Sequence, residues 1–259
     1  MLHPHTFEIY EPYDHLREFL LSLPQRFSRG EGECIYKGRN ELRVFTVNGT
    51  RLVVKSFGRP HFINQLVYGF LRPSKARRSC EHAHLLASLG IGSPAPVGYI
   101  NVRTAGGLLF DRSFLVTLES TCPVVYRDLL TQHIPWCLDA VREVARTAAR
   151  LHDNGLLHKD FSRGNILLDQ RPDGTIRLEL IDLNRMRRGP VSLQAGCHNL
   201  ERLPVTPEMQ EVLATTYAAA RHFEPQECLR LLRSFRSQQH DHMAEECASA
   251  AFSRGGEAC

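Results

Sequence analysis

His158, Asp160 and Asn165 stand in the spacing H-x-D-x-x-x-x-N, within His158-Lys159-Asp160-Phe161-Ser162-Arg163-Gly164-Asn165. The apolar run Ile166-Leu167-Leu168 follows, and beyond a turn comes Leu180-Ile181-Asp182-Leu183-Asn184. A carboxylate in such a loop can orient an acceptor hydroxyl and take its proton. An amide oxygen five residues on, and a second carboxylate after the turn, are hard oxygen donors suited to the magnesium that accompanies nucleotide phosphates. Asp160 is therefore read as the catalytic residue and Asn165 and Asp182 as metal ligands. The segment reads as the catalytic and metal loops of a kinase-like phosphotransferase using ATP and Mg²⁺. His158 is assigned a bracing role. Lys159 and Arg185 are candidates to contact a transferring phosphate or an acidic group of the acceptor.

A nucleotide also needs a cation on its non-transferred phosphates. Lys55 closes the apolar strand Val53-Val54-Lys55 and can supply it. Glu81, on the helix that follows, is the candidate acid to hold Lys55, because it shares a helical edge with Leu85 and Leu89; Glu119 and Glu41 compete for the role. The motif G-x-G-x-x-G is missing, and Gly38, in Tyr36-Lys37-Gly38-Arg39-Asn40, is the glycine nearest the first strand turn. The metal segment reads Asp182-Leu183-Asn184 where a protein kinase has D-F-G, and no A-P-E follows. Both departures favour a kinase for a small molecule or glycan over one that holds a peptide.

The elements that must position these residues are legible in outline. Leu16, Phe19, Leu20 and Leu23 have helical spacing within 14–23, with Pro24 expected to end the helix. Two apolar runs, 42–47 and 51–57, flank Asn48-Gly49, a strong hairpin signal. Residues 75–89 read as a helix with Gly90 as C-cap, Ser93-Pro94-Ala95-Pro96 as a linker, and 108–119 as strand. Leu138, Val141, Val144, Ala148 and Leu151 line one face of a helix over 137–153, stopped by His152-Asp153-Asn154-Gly155 just before the His158 loop. Two short strands, 166–168 and 176–181, are joined by the turn Pro172-Asp173-Gly174. Helix resumes near 206, and 238–259 is polar and prone to fray. The fold class is α+β: a bilobal protein-kinase-like fold with the nucleotide between the lobes. The N-lobe is expected over 1–120, with a five-stranded-type sheet and one main helix. The mainly helical C-lobe is expected over 121–259.

Composition narrows the class further. The 259 residues suffice for one large domain or two small lobes, and no apolar run has the length of a membrane-spanning helix. The start, Met1-Leu2-His3-Pro4-His5, lacks the basic region and apolar stretch of a secretory signal. Eight scattered cysteines without a C-x-x-C pair favour free thiols in a reducing cytoplasm. The net charge of +4 does not call for nucleic acid, but Arg72, Lys75, Arg77 and Arg78 cluster, as do Arg185, Arg187 and Arg188. Such patches suit phosphates or an anionic membrane surface, although a solvated face is the ordinary explanation. His3/His5 and His240/His242 have metal-like spacing without acidic or cysteine partners, and Trp136 is read as packing.

The chain resembles the bacterial lipopolysaccharide kinase family. The resemblance runs through Ile35–Arg43, Val53–Phe57, Ile63-Asn64-Gln65, Ser74–Ser79 with Glu81, Gly92–Pro96, the His158–Asn165 loop and Ile181–Met186. It implies a protein-kinase-like fold, ATP as donor, Mg²⁺, and a heptose or Kdo hydroxyl of the lipopolysaccharide core as acceptor. It also implies work at the cytoplasmic face of the inner membrane, where the basic patches are candidates for peripheral contact with the membrane. On this reading Lys55, Asp160, Asn165 and Asp182 match functional positions and Glu81 matches well. A protein or aminoglycoside-type kinase, and a non-catalytic kinase-shaped binding module, are the alternatives.

Overall fold

The computed structural model of the chain describes residues 5–58, 73–104 and 109–237. His3, Ile63-Asn64-Gln65, Arg72, His240, His242 and the polar stretch 238–259 lie outside the described residues. The chain forms two compact units. The first comprises Met1–Cys122 and Glu179–Asn184, and the second Pro123–Leu178 and Arg185–Cys259.

The first unit is built on an antiparallel sheet of six strands: β1 (Thr6–Ile9), β2 (Glu33–Lys37), β3 (Asn40–Val47), β4 (Thr50–Phe57), β5 (Pro96–Thr104) and β6 (Leu109–Leu118). Their order is β1-β5-β6-β4-β3-β2. β1 joins the edge of β5, so the sheet has one strand more than the sequence suggests. The hairpin β3–β4 turns at Asn48-Gly49 with Val47 opposite Thr50, both turn residues having positive φ (50° and 78°), as a two-residue type I′ turn requires. The Ser93–Pro96 segment is not a boundary between units. Pro96 opens β5, and the Ala95 carbonyl accepts from Leu118 N.

A helix covers each face of this sheet. α1 (Arg17–Ser28) buries Phe19, Leu20, Leu23 and Phe27 against Leu52, Val54, Phe114 and Val116. Pro24 lies inside this helix instead of ending it. Its missing N–H and ring clash cost about 3 kcal/mol. Burying four large apolar side chains, at roughly 1.5–3 kcal/mol each, outweighs that cost. α2 (Lys75–Ser88) covers the other face, packing Ala76 and Cys80 on Phe57 and Tyr99. Ser74 caps it by accepting from Arg77 N at 3.1 Å, and Gly90 closes it at φ 66°. Strand alternation sends Leu52, Val54 and Ser56 toward α1, and so turns Lys55 to the face of Phe57 and α2.

The second unit is mainly helical. Its core helix α3 (Cys137–Asp153) buries Val141, Val144, Ala148 and Leu151 on one stripe, as the 3.6-residue spacing predicts. β7 (Val124–Val125), β9 (Ile166–Gln170) and β10 (Ile176–Leu180) form a small sheet in the order β10-β9-β7. β8 (Leu156–His158) pairs with β11 (Met186–Arg188), which places Met186 opposite His158. α4 (Leu193–Leu200), α5 (Pro207–Ala220) and α6 (225–237) complete the unit. α4 is absent from the sequence expectation: eight residues with Gly196 at the centre carry too little periodicity to stand out. The six described cysteines are free thiols. No helix among the described residues is long and apolar enough to cross a membrane.

Candidate active site

Lys55 and Asp182 meet within the first unit. Lys55 Nζ donates to Asp182 Oδ1 at 2.6 Å, with side chains 15% and 23% exposed. Lys55 is fixed by its place on β4, between Leu42 on β3 and Leu115 on β6, and its ammonium lies 5.2 Å from the Phe57 ring centroid. Asp182 is fixed differently. Leu180 N donates to the Gly92 carbonyl at 2.9 Å, and His82 Nδ1 on α2 donates to the Leu183 carbonyl at 2.8 Å. Between these two ties Asp182 adopts φ 59°, a left-handed backbone that Asp tolerates better than most residues. Asn184 Nδ2 also donates to Asp182 Oδ1.

Glu81 does not hold Lys55. It pairs with Arg77 one turn back on α2, Nε to Oε1 at 2.7 Å, with side chains 51% and 44% exposed. The inward edge of α2 is Ala76, Ser79, Cys80, Ala83 and Leu86. Glu81 falls off that edge and beside the nearest basic residue at i−4 spacing. The competing acids are engaged too, Glu119 with Arg51 and Glu41 with Arg43. Gly38 sits at the tip of the β2–β3 hairpin, where its N–H donates to Asn40 O at 3.0 Å.

Asp160 and Asn165 belong to the second unit, in the loop between β8 and β9. The loop is braced from within. Asp160 N donates to His158 Nδ1 at 3.1 Å, Phe161 N to His158 O at 3.1 Å, and Asn165 N to Ser162 O at 2.9 Å. His158 is 1% exposed and lies edge-on to Phe161, the structural role assigned to it from sequence. Asn165 Nδ2 donates to Asp160 O at 2.9 Å and to Ser162 Oγ at 3.3 Å, which leaves its carbonyl oxygen for another partner. Lys159 N donates to Arg185 O at 3.2 Å, so those two candidates adjoin through backbone.

A buried relay anchors the same loop. Arg221 Nη1 donates to Tyr217 Oη at 2.7 Å, and Tyr217 Oη to His152 Nδ1 at 2.7 Å. His152 Nε2 donates to Asn199 Oδ1 at 3.2 Å, and Asn199 Nδ2 to the His158 carbonyl at 2.9 Å. Each polar group in the relay has a partner of the right polarity, as a low-dielectric interior demands. Burial pushes the His152 imidazole down to about 4, so it is neutral at pH 7. Sequence reasoning missed His152 as part of the site, along with Asn199, His82 and Arg202. Arg202 Nη1 donates to the Lys159 carbonyl at 3.0 Å and lies 3.9 Å from Asp160 Oδ1. His152 does sit in the right sequence window, as an inward-facing polar residue on an otherwise apolar helical stripe. The other three carry no such signal, because their partners are remote in sequence.

The Asp182 carboxylate in the first unit and the Asn165 side-chain carbonyl in the second are each oxygen donors of the type a hard cation prefers. Among the described residues no cluster of three or more His, Cys, Asp or Glu forms a metal centre.

Comparison with known proteins bears on the fold and the family. The structure of WaaP in complex with acyl carrier protein has 19% sequence identity and a TM-score of 0.62, covering 91% of this chain and 98% of that one. The Rio2 kinase–ADP/Mg²⁺–phosphoaspartate complex from Chaetomium thermophilum has 15% identity and a TM-score of 0.50, covering 90% of this chain and 78% of that one. Both likenesses establish the protein-kinase-like α+β fold. No curated protein sequence matches the chain. The lipopolysaccharide kinase (Kdo/WaaP) family matches residues 45–235, a span that holds Lys55, Asp160, Asn165 and Asp182. The chain belongs to the lipopolysaccharide kinase (Kdo/WaaP) family and is a kinase.

Proposed function

We propose that this kinase transfers the γ-phosphoryl of ATP to a sugar hydroxyl of the lipopolysaccharide core, a heptose or Kdo. The observation that carries the reading is the family match over a span in which Lys55 and Asp182 are paired at 2.6 Å and Asp160 and Asn165 share one braced loop. Lys55 is the cation for the non-transferred phosphates. Asp182 is a carboxylate ligand for Mg²⁺, and Asn165 offers it an amide oxygen. When bound, the metal neutralises charge on the phosphates. Asp160 orients the acceptor hydroxyl and takes its proton, while the bonds from His158 and Asn165 hold its backbone. Gly38, at the tip of its hairpin, is the candidate for close approach to the nucleotide. The fixed geometry matters because phosphoryl transfer depends mostly on positioning and electrostatic stabilisation. The enzyme would act at the cytoplasmic face of the inner membrane, as a peripheral protein whose acceptor is anchored there.

The test is incubation of the purified protein with γ-labelled ATP, Mg²⁺ and dephosphorylated lipopolysaccharide core, beside the Asp160→Asn variant. Label entering the glycan with the wild type alone supports the reading. Label entering an aminoglycoside or a protein instead assigns the kinase another acceptor.

A further inference from the structure

The second unit contains a cavity of about 810 Å³ whose wall includes Ser162, Arg163 and Gly164 of the Asp160 loop. Arg127, Arg202 and Arg236 complete a set of four guanidinium groups around it, and Glu201 is the one acid among its lining residues. These arginines come from four separate places in the chain. Arg127 lies on the turn after β7, Arg163 in the loop, Arg202 just past α4 and Arg236 on α6.

Their placement is held by backbone. Arg127 N donates to the Arg163 carbonyl at 3.2 Å, and Arg236 Nη2 to the Leu203 carbonyl at 2.8 Å. Arg202 joins the cavity to the reacting group, since it lines the wall and lies 3.9 Å from Asp160 Oδ1. Arg236 Nε is buried with no hydrogen-bond partner among the described residues, and burial pulls the Arg236 pKa down. The guanidinium thus has an acceptor for Nη2 and Glu201 as its counter-charge, while its buried Nε still lacks an acceptor among the described residues. Glu201 lies 3.5 Å from His198 and also attracts Arg202 and Arg236, and Arg127 Nε lies 3.8 Å from Asp128 Oδ1, yet four arginines against one acid leave the cavity lining net positive.

We propose that this cavity binds a second anionic group of the acceptor, a phosphate or a carboxylate, a short distance from the hydroxyl that Asp160 orients. The inference rests on the proposed function and narrows its substrate class to acidic sugars. Guanidinium forks match the planar oxygen pair of a carboxylate and the oxygens of a phosphate, and discriminate against a neutral sugar. The cavity volume is that of a small-ligand site.

The test compares wild type with Arg127→Gln/Arg163→Gln on two acceptors: acidic core oligosaccharide, and the same material dephosphorylated and methyl-esterified. Wild type should favour the acidic acceptor in kcat/KM, and the double variant should lose about tenfold of that preference, mainly through KM. The Arg142→Gln variant, on the exposed face of α3, should keep it. An unchanged ratio in the double variant overturns the proposal, even if both rates fall. Calorimetric titration with glucose 6-phosphate against glucose, in EDTA, reads the cavity without any turnover. Tighter binding of the phosphate by wild type, lost in the double variant, supports the cavity even if no core sugar is phosphorylated and the proposed function fails. Equal binding of the two sugars by wild type overturns it.

Discussion

Lys55 and Asp182 lie 2.6 Å apart although the sequence separates them by 127 positions, and this pair, not a pair with Glu81, holds the lysine. Lys55→Met should lower kcat/KM by on the order of 10²-fold, the scale of losing one preorganised electrostatic contact. Glu81→Gln should change stability by no more than about 0.5 kcal/mol, because an exposed i,i+4 pair is worth little. Its activity should stay within a few-fold of wild type. Steady-state kinetics of both variants decide the matter: an equal loss in the two would return Glu81 to the lysine.

Asn165 offers its carbonyl oxygen because its amide nitrogen is committed to Asp160 O and Ser162 Oγ. Asn165→Leu should raise the Mg²⁺ concentration for half-maximal rate by on the order of tenfold, the scale seen when support of a metal is removed. A magnesium titration at saturating ATP reads this directly. An unshifted titration would take the residue out of the metal site.

Asn199 bridges the His152 ring to the carbonyl of His158. Asn199→Ala leaves a buried imidazole N–H without its partner and removes one of the two donors to the His158 carbonyl, which keeps Phe161 N, at a cost of roughly 1–3 kcal/mol before relaxation. Urea denaturation should show the destabilisation, and kcat should fall because the loop carrying Asp160 is loosened. If stability drops while kcat holds, the relay supports the fold alone.

His152 makes stability depend on acid. Its pKa is about 4 in the folded chain and near the ordinary 6.5 when unfolded. Above pH 6.5 both states hold the ring neutral and its burial stabilises fully. As pH falls from 6.5 toward 4 the unfolded chain takes up the proton first, so about 3 kcal/mol of stability is lost over that window. Urea midpoints between pH 7 and 4.5 should fall more steeply for wild type than for His152→Gln. Parallel slopes would remove the effect from this residue.

Local pattern made much of the fold legible. The Asn48-Gly49 hairpin, the apolar stripe of α3 and the Pro172-Asp173-Gly174 turn all lie where spacing and turn chemistry put them. Pro24 misled because helix propensity is a local cost, whereas the packing of Phe19, Leu20, Leu23 and Phe27 under the sheet is a tertiary gain. Glu81 misled because Leu85 and Leu89 define an apolar edge in sequence, while the sheet covers the edge of Ala76, Cys80, Ala83 and Leu86.

The sequence by itself determined which groups are available for chemistry. Residue type and short spacing are enough to place Asp160 and Asn165 in one loop and Asp182 beyond the next turn, since a loop of that length constrains its own members. Tertiary structure alone decided what each group touches. The Lys55–Asp182 pair, the tie from His82 to Leu183, the His152–Asn199–His158 relay and the arginine cavity all join segments far apart in the chain. Such contacts arise from the packing of whole elements, and no local run of residues encodes them.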